Sequence, residues 1–496
     1  MSLFIGIDLG TSSVKSIVVD ETGSICANSS REYPLLNPQP LWYEQDPEIW
    51  WKKTKETIQE LIQHPEVDAS DIKGIGLSGQ MHGTVFLDKN GKPLYNAILW
   101  CDQRTEQECE YIEQKVGIQS LVEESGNRAL TGFSAPKILW VKQNKPEIYE
   151  KVDKVLLPKD YIRYRLTGEF ATEVSDASGT LLLQVKKRNW SNHLLESLNI
   201  PREWLPNVYE SQEVTGYTLS YLQKEIGLPA GTPVVGGGGD QAAGAVGSGV
   251  VEGGIATVAL GTSGVVFVAR DDTLKTFQHT LHFFCHAVPD QWHTMGVMLS
   301  AAASLKWWKE ISANQESYET ILQEADHVRA GSEGLLFLPY LVGERTPHPD
   351  PQAKGQLVGL TLAHQRAHIT RAILEGVGFG LNDSLQMMND VEIKEIRVTG
   401  GGSKNKIWRQ ILADIFNKPI ATVNTNEGPA YGAAVLAAVG SGGFASVKQV
   451  TDQWIQTLEC HEPIQTHHQV YSEIYQIYKE QYSLLKHTFH QLDAFR

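Results

Sequence analysis

The chain has 496 residues, 41% of them hydrophobic and 20% charged, a composition typical of a globular protein with core enough for two or three domains. Its formal net charge of −15 argues against nucleic acid or an anionic membrane as a partner. The five cysteines are odd in number and widely spaced, which disfavours a disulfide framework or a zinc site and favours a reducing cytoplasm. The sequence shows no basic, apolar leader and no run of residues that predicts a membrane span.

The first predicted element is a hairpin. An apolar strand ends at Asp8, then Gly10, Thr11 and Ser12 form a turn, and a second apolar strand returns. The N–H groups and hydroxyls of such a turn can hold a phosphate, and the adjacent carboxylate can hold hydrated Mg²⁺. An ordinary hairpin turn explains this single copy equally well.

A helix is predicted next, because Asp46 is a favoured N-cap and Pro47 a favoured first helical residue. Its tryptophans are expected in the core. A later helix is predicted in the segment that begins Leu157-Pro-Lys-Asp-Tyr, and it closes at Gly168. Neither helix shows chemistry of its own at the level of sequence.

Between these helices, polar side chains follow two apolar strands. Gln80, Met81 and His82 lie between glycines, and fixed donors and acceptors of this kind suit a ligand rich in hydroxyl groups. A purely structural histidine is the alternative for His82. Trp100 and Asp102 end the next strand, where an ion pair with a neighbouring arginine explains Asp102 as well as substrate contact does.

A glycine-rich stretch in the middle of the chain leads to Asp240. A short β-branched strand is followed by four glycines, Asp240, Gln241 and a run of small residues. Glycines let the backbone approach a ligand closely and leave the carboxylate uncrowded where strand gives way to helix. Two interpretations follow: Asp240 is a catalytic base, or it only caps the helix after it.

The hairpin pattern then returns. Strand, Leu-Gly-Thr-Ser and strand recur with Gly261, Thr262 and Ser263, 251 residues after the first turn. The repeat predicts two related halves, residues 1–246 and 247–496, each opening with a phosphate-binding hairpin. The P-loop and Rossmann motifs for nucleotide binding are both missing from the sequence, so those two routes are disfavoured.

The second half predicts several elements that leave space for a nucleotide. A helix begins with small residues around Ala302, and another strand ends in a glycine turn that includes Gly401 and Gly402, just before a helix near Asn405. Exposed N–H groups at a helix start can face a nucleotide, although tight helix–sheet packing also explains small residues. Between these two elements lies a loop stiffened by prolines, Gly343-Glu-Arg-Thr-Pro.

In this order, the motifs resemble those of the FGGY family of carbohydrate kinases, of the superfamily that includes actin, hexokinase and heat-shock chaperones. The resemblance runs nearly end to end and is carried by these segments: Asp8 to Ser12, Leu41 to Trp51, Gln80 to Gly83, Gly132 to Asn144, Leu157 to Tyr161, Asp240, Leu260 to Gly264, Gly343 to Pro347 and Gly400 to Gly402. It implies an α/β fold of two ribonuclease H-like domains with the active site in the cleft between them. It is strongest to the members that act on D-xylulose, and it implies phosphoryl transfer from ATP to that sugar.

The resemblance also implies a role for each candidate residue. Asp240 falls on the family's catalytic base, and Asp8 falls on the carboxylate that holds Mg²⁺ through water. The resemblance assigns the two phosphate turns to Gly10, Thr11, Ser12, Gly261, Thr262 and Ser263. It assigns the adenosine pocket to Ala302, Gly401, Gly402 and Asn405. It assigns the sugar site to Gln80, Met81, His82, Trp100, Asp102, Asp240 and Gln241.

Two positions depart from the family members that act on D-xylulose, and they keep other functions open. Cys101 stands where those members usually have Asn, and Gln241 where they often have Asn. Gln after the base also occurs in sister kinases, so L-ribulose, glycerol or another polyol is the first alternative acceptor. An ATPase switch and a catalytically silent sugar sensor are further alternatives. The expected partners are a sugar and ATP, with neither nucleic acid nor a membrane, and a homodimer is compatible with the sequence.

Overall fold

The computed structural model describes residues 2–272, 280–313, 315–425 and 427–495. The strands of the first half, in chain order, are β1 (Leu3–Leu9), β2 (Ser13–Asp20), β3 (Ile25–Glu32), β4 (Glu44–Gln45), β5 (Ile72–Gly79), β6 (Val85–Leu87), β7 (Ala97–Ile98), β8 (Lys154–Leu156), β9 (Ala171–Glu173), β10 (Leu183–Gln184), β11 (Asn189–Trp190), β12 (Asn207–Tyr209), β13 (Val214–Tyr217), β14 (Pro233–Val235) and β15 (Gly238–Gly239). Its helices are α1 (Pro47–Ile62), α2 (Glu106–Val116), α3 (Ile118–Ser125), α4 (Ser134–Asn144), α5 (Pro146–Tyr149), α6 (Pro158–Thr167), α7 (Val174–Ser178), α8 (Asn192–Leu198), α9 (Ser220–Ile226) and α10 (Asp240–Gly247).

The second half follows without a long linker. Its strands are β16 (Ile255–Leu260), β17 (Gly264–Arg270), β18 (His282–Cys285), β19 (Trp292–Met298), β20 (Leu336–Leu338), β21 (Gln356–Val358), β22 (Glu395–Thr399), β23 (Ile420–Val423) and β24 (Thr457–His461). Its helices are α11 (Ala302–Ser312), α12 (Tyr318–Asp326), α13 (Arg366–Met387), α14 (Lys406–Phe416), α15 (Gly428–Gly440), α16 (Val447–Trp454) and α17 (Gln465–Asp493). Of the helices described, none has both the length and the apolar character that crossing a membrane requires.

Each half is built around one large mixed sheet. The first sheet has the order β13-β14-β5-β1-β2-β3, with β15 also paired to β5. The second has the order β18-β19-β17-β16-β22-β23-β24. In both sheets the opening strand is antiparallel to the next strand along the chain and parallel to a later one, as β1 is to β2 and β5, and β16 to β17 and β22. The predicted α/β class and the predicted repeat of the hairpin are therefore confirmed.

The helix signals of the sequence are also confirmed. Asp46 caps α1, since its side chain accepts a hydrogen bond from the N–H of Glu48 at 2.9 Å. Trp50 and Trp51 are buried in the core, as expected. Gly168 ends α6 in the left-handed conformation, with φ of 76°.

The two halves are joined by a helix that the sequence places in the second half and the structure packs on the first sheet. This helix, α15, lies against β1, β5 and α10, and at several points along the junction the backbones are in direct contact. A Cβ atom added to Gly6 of β1 would lie 1.9 Å from the carbonyl oxygen of Ala430, and one added to Gly432 would lie 1.8 Å from that of Ala243. Glycine is therefore required on both sides of this contact.

Side chains outside this contact strengthen the same junction. The hydroxyl of Tyr431 donates to the carbonyl of Gly23 at 2.7 Å, and the indole of Trp454 donates to the carbonyl of Glu21 at 3.1 Å. Both acceptors lie in the turn between β2 and β3, so the second half also holds the β2–β3 hairpin.

We expect Gly432→Ala to lower the thermal unfolding midpoint, because its new methyl group must push α10 and α15 apart. Overpacking of this kind costs about 1–3 kcal/mol. Gly244→Ala is the matched control on α10, because the nearest atom to its new methyl group is Pro429 Cγ at 3.7 Å. Alanine also favours helix over glycine by up to about 1 kcal/mol, so this control should be neutral or stabilising. Equal shifts for the two variants would contradict the backbone contact.

Candidate active site

Asp8 lies near the carboxyl end of β1, between two neighbouring strands. It is paired with Lys15 of β2 on one side and with Ser78 of β5 on the other. Its Oδ1 atom is buried and has no hydrogen-bond partner in the described part of the chain. Burial raises the pKa of Asp8 to about 6, against the opposing effects of the Ser78 hydroxyl and the Lys15 ammonium.

The first Gly-Thr-Ser turn is fastened to its surroundings through Thr11. Gly10, Thr11 and Ser12 connect β1 to β2. The side-chain amide of Gln45 donates to the Thr11 carbonyl at 2.6 Å, and the indole N–H of Trp100 donates to the Thr11 hydroxyl at 3.0 Å. Trp100 therefore links the first phosphate turn directly to the predicted sugar site.

The second Gly-Thr-Ser turn is fastened to the start of α11. Gly261, Thr262 and Ser263 connect β16 to β17. The N–H of Ala301 donates to the Thr262 carbonyl at 3.0 Å, and the N–H of Ala302 donates to the Gly261 carbonyl at 2.9 Å. The small residues at the start of α11 therefore lie on the predicted phosphate turn.

The predicted adenosine residues gather at the end of β16. A Cβ added to Gly400 would lie 2.8 Å from the Leu260 carbonyl carbon, and one added to Gly402 would lie 2.9 Å from Leu260 Cβ. Gly401 instead has open space, with no described atom within 4 Å of such a Cβ. Asn405 caps α14, since its side-chain oxygen accepts from the N–H three residues later at 3.1 Å. A surface free of side chains thus borders the second turn.

Asp240 is the first residue of α10, and its side chain does not cap this helix. Gly239 holds the N-cap position, and no side-chain capping bond is formed. The interpretation of Asp240 as a simple N-cap is therefore wrong. The N–H of Gly239 donates to the Ser175 hydroxyl at 3.1 Å, which fixes the backbone just before the carboxylate.

Strand register brings Asp240 to Asp8. Ser78 of β5 is paired with Asp8 on one side and with Gly238 of β15 on the other, so both acids lie at the same end of β5. The pKa of Asp240 is raised to about 7, first by burial and second by the negative charge of Asp8, while Gln241 opposes the shift. The two carboxylates are close enough to repel each other.

Gln80 and Met81 bring the third predicted segment to the same place. The side-chain amide of Gln80 donates to Gln45 at 3.0 Å, while its own oxygen is buried without a partner among the described residues. Met81 lies against β15, because a Cβ added to Gly239 would be 2.9 Å from Met81 Cγ. Gln45 thus forms hydrogen bonds both to Gln80 and to the first predicted phosphate turn. Met81 contacts the backbone just before Asp240.

His82 has a defined tautomer and a fixed backbone. Burial lowers its pKa to about 3, so the imidazole is neutral at pH 7. Nδ1 lies 2.7 Å from the Gly179 carbonyl oxygen and must carry the hydrogen, which leaves Nε2 as an acceptor for a ligand hydroxyl. The backbone is left-handed, with φ of 67°, and Lys137 Nζ holds it by donating to the His82 carbonyl at 2.8 Å.

Trp100 and Asp102 take different positions. Trp100 is 40% exposed. Asp102 is fully buried, and both of its oxygens accept hydrogen bonds from Arg104, one of them also from the N–H of Tyr43. The arginine in turn lies over the ring of Trp42, 3.9 Å from its centroid. The ion pair weighed in the sequence is therefore present, and Asp102 has no oxygen left without a protein partner.

The chain matches the sequence models of both domains of one protein family. The N-terminal domain of the FGGY family of carbohydrate kinases matches residues 3–247, and the C-terminal domain of that family matches residues 256–441. This chain belongs to the FGGY family of carbohydrate kinases. Its predicted fold of two ribonuclease H-like lobes, of the actin and hexokinase type, is thereby confirmed.

Individual FGGY kinases resemble the chain over its whole length. The xylulose kinase of Bacillus subtilis is 42% identical over 498 residues, covering 100% of both chains. The solved structure of the ligand-bound xylulose kinase of Lactobacillus acidophilus has 27% identity and a TM-score of 0.94, covering 99% of this chain and 100% of its own. The gluconate kinase of the same organism has 27% identity and a TM-score of 0.93, covering 99% of both chains.

A cluster of buried charges lies next to the residues that position Asp240 in this FGGY kinase. The sequence patterns did not predict this cluster. The Nζ atom of Lys159 is 2.7 Å from Asp160, 3.4 Å from Glu173 and 3.4 Å from Asp176, and all four side chains are fully buried. Glu173 also accepts a hydrogen bond from the hydroxyl of Ser175, the residue that holds Gly239. The sequence does contain charged residues inside apolar segments at these positions. Because burying an unpaired charge is energetically unfavourable, such residues indicate that their charges are paired in the fold.

The two site carboxylates fit a hydrated divalent cation. Asp8 has a buried oxygen without a hydrogen-bond partner among the described residues. The negative charges of Asp8 and Asp240 repel each other, and a cation between them would relieve this repulsion. No cluster of three or more ligating side chains that could enclose a metal is found in the described ranges. An ion held by one carboxylate, waters and phosphate oxygens is the coordination that Mg²⁺ prefers.

We expect Lys159→Met to destabilise the protein strongly, because it leaves three buried acids without their cation. Breaking a buried charge pair by removing one partner typically costs about 3–5 kcal/mol. The control is Lys448→Met, which removes an exposed ammonium from Asp452 and should change stability by less than about 1 kcal/mol. Denaturant unfolding followed by fluorescence measures both variants. Similar midpoints for both would show that the cluster does not depend on its lysine.

Proposed function

We propose that this FGGY kinase transfers the γ-phosphoryl group of ATP to the primary hydroxyl of D-xylulose, giving D-xylulose 5-phosphate. The observation that carries this proposal is the register of β1, β5 and β15, which brings Asp8 and Asp240 to one end of the first sheet. Support for the acceptor comes from relatives named xylulose kinase that match the chain over its full length.

In this proposal Asp240 is the general base. Its carboxylate takes the proton of the sugar hydroxyl as the oxygen attacks the γ-phosphorus, and the bond from phosphorus to the ADP oxygen breaks. The raised pKa of Asp240, about 7, suits a group that must accept a proton near neutral pH. Positioning and charge neutralisation then supply most of the catalysis, as in other phosphoryl transfers.

The nucleotide would be held from both halves. The turns with Gly10, Thr11 and Ser12 and with Gly261, Thr262 and Ser263 hold the phosphates in this proposal, and Ala302, Gly401, Gly402 and Asn405 border the adenosine. The open space above Gly401 supports this placement. Asp8 would hold Mg²⁺ through water, and the ion would neutralise charge on the phosphate oxygens.

The sugar would lie between Met81, His82, Trp100 and Asp240. Nε2 of neutral His82 accepts a hydrogen bond from a sugar hydroxyl, and the exposed indole of Trp100 provides an apolar face. Gln80 and Gln241 supply further amide groups. Asp102 acts through Arg104 in this proposal, because the buried ion pair fixes the loop that presents Trp100.

We also propose a cytoplasmic location, since the five widely spaced thiols suit a reducing compartment. A homodimer remains compatible with the chain, and light scattering of the purified protein measures its oligomeric state.

A panel of acceptors tests the proposal directly. D-xylulose, L-ribulose, glycerol and gluconate are offered with ATP and Mg²⁺, and ADP is detected by a coupled assay. D-xylulose should give the highest kcat/KM. Gluconate belongs in the panel because a gluconate kinase is structurally as similar to this chain as the xylulose kinase of the same organism. Equal ATP hydrolysis with and without any acceptor would support an ATPase switch instead.

We expect Asp240→Asn to lower kcat by about 10²-fold or more, since general-base catalysis contributes about 10²–10⁴-fold. ATP affinity and the unfolding midpoint should remain close to those of the wild type. Asp8→Asn should instead raise the Mg²⁺ concentration needed for half-maximal activity, because Asp8 is assigned to the ion and its loss weakens Mg²⁺ binding. Near-normal turnover of Asp240→Asn, with loss confined to Asp8→Asn, would reverse the roles of the two acids.

A further inference from the structure

The loop Gly343-Glu-Arg-Thr-Pro is held rigidly along the end of β19. The N–H of Thr346 donates to the Val297 carbonyl at 3.1 Å, and the N–H of Val297 donates to the Thr346 hydroxyl at 3.1 Å. One carboxylate oxygen of Glu344 accepts from the N–H of Leu299 at 3.0 Å and from the N–H of Arg345 at 2.7 Å. Arg345 therefore lies between two fixed residues.

This anchoring places Arg345 between the second phosphate turn and the sugar segment. On one side, β19 leads within a few residues to Ala301, whose N–H donates to Thr262 of the turn at 3.0 Å. On the other side, the Thr346 hydroxyl donates at 3.0 Å to the carbonyl of Thr280, two residues before β18. Arg345 thus belongs to the second half and lies between one element that leads to the second turn and another that leads to the sugar segment.

The ring contacts of β18 complete the connection to the sugar segment. The His282 ring, at the start of β18, is 5.9 Å from the ring of Phe133, and Phe133 is 4.7 Å from the ring of His82. The positive charge of Arg345 is among the causes that lower the pKa of both histidines, after burial. The guanidinium therefore lies near both rings.

Arg345 differs from the paired buried arginines in having no anionic partner. Arg104 is paired with Asp102 and Arg371 with Glu375, each with an N–O distance below 3 Å. Within the described ranges, the guanidinium of Arg345 forms no hydrogen bond and no ion pair, and the residue is only partly exposed. A charge that has lost part of its hydration and has no anion within hydrogen-bonding distance is well placed to bind an anionic ligand, so the position indicates such a ligand.

We propose that Arg345 is a catalytic residue that binds the phosphoryl group during its transfer and the phosphate of the product. The inference rests on the proposed sugar kinase activity. During transfer, the bond from phosphorus to the ADP oxygen breaks, the bond to the sugar oxygen forms, and the hydroxyl proton goes to Asp240. Arg345 undergoes no covalent change and donates N–H groups to the non-bridging oxygens.

The chemistry of the site favours a phosphate over a neutral sugar as the ligand of Arg345. Asp8 and Asp240 already place negative charge on the opposite side of the cleft, and the transferred group adds more. A planar guanidinium offers two parallel N–H groups to two phosphate oxygens and keeps its charge at any working pH. Because Arg345 is on the second half, its contact with a sugar-bound phosphate also joins the halves during the reaction.

Arg345→Met and Arg345→Lys test the proposal in the full-length enzyme, with Arg366→Met as the control. Arg366 forms only partly exposed ion pairs with Glu316 and Glu324, away from the cleft. We expect Arg345→Met to lower kcat by about 10²-fold or more, as loss of a donor to developing charge does. Lysine should recover part of this loss. The KM for D-xylulose should change little, while product inhibition by D-xylulose 5-phosphate should weaken by about tenfold or more.

Two outcomes would overturn this assignment. A rise in the KM for D-xylulose with unchanged kcat and unchanged product inhibition would make Arg345 a sugar contact only. A lower unfolding midpoint than Arg366→Met, with normal kcat per folded enzyme, would make its role structural. A third variant, Arg345→Ala, tests rescue by free guanidinium. If guanidinium restores its turnover and the same concentration of sodium chloride does not, the contact between Arg345 and the phosphoryl group is supported. The proposed function itself is tested separately: it fails if the wild-type enzyme phosphorylates no acceptor in the panel.

Discussion

Backbone contact between α15 and the first half is the constraint on which the rest of this structure depends. The helix enters from the second half and meets β1, β5 and α10 where glycines take the place of side chains, as at Gly6, Gly76 and Gly432. The same elements carry the acids, because Asp8 lies near the end of β1 and Asp240 begins α10. One close contact thus joins the two halves next to the elements that carry both carboxylates.

Charge is distributed unevenly around this junction. Near the backbone that leads to Asp240, Lys159 pairs with three buried acids, and Asp8 has a buried oxygen without a partner in the described chain. Burial is the main cause of the raised pKa values of Asp8 and Asp240, and the charge of Asp8 adds to the shift of Asp240. In the proposed site, a divalent cation and Arg345 supply the compensating positive charge.

Local patterns in the sequence were sufficient for the fold class, the repeated hairpin and the start of α1, because strand alternation and capping act over a few residues. They also marked Asp8, Asp240 and His82 as candidate site residues, with a hairpin turn, a helix cap and a structural histidine as the respective alternatives. They did not predict that α15 crosses to the first sheet, nor that Lys159 reaches Glu173 and Asp176, because both depend on contacts between separate segments. The Gly343 loop was visible as a motif, but only its bonds to β19 indicate where Arg345 lies.

The seam between α10 and α15 has a mechanical consequence. Because carbonyl groups meet α-carbons there, sliding one helix past the other would force backbone atoms to overlap, so we infer that any opening of the molecule turns about this line. In such a rotation displacement grows with distance from the axis, so the outer rims of the proposed adenosine and sugar sites would move furthest. Asp8 and Asp240 are carried by β1 and α10, which lie at this seam, so we expect their separation to change least.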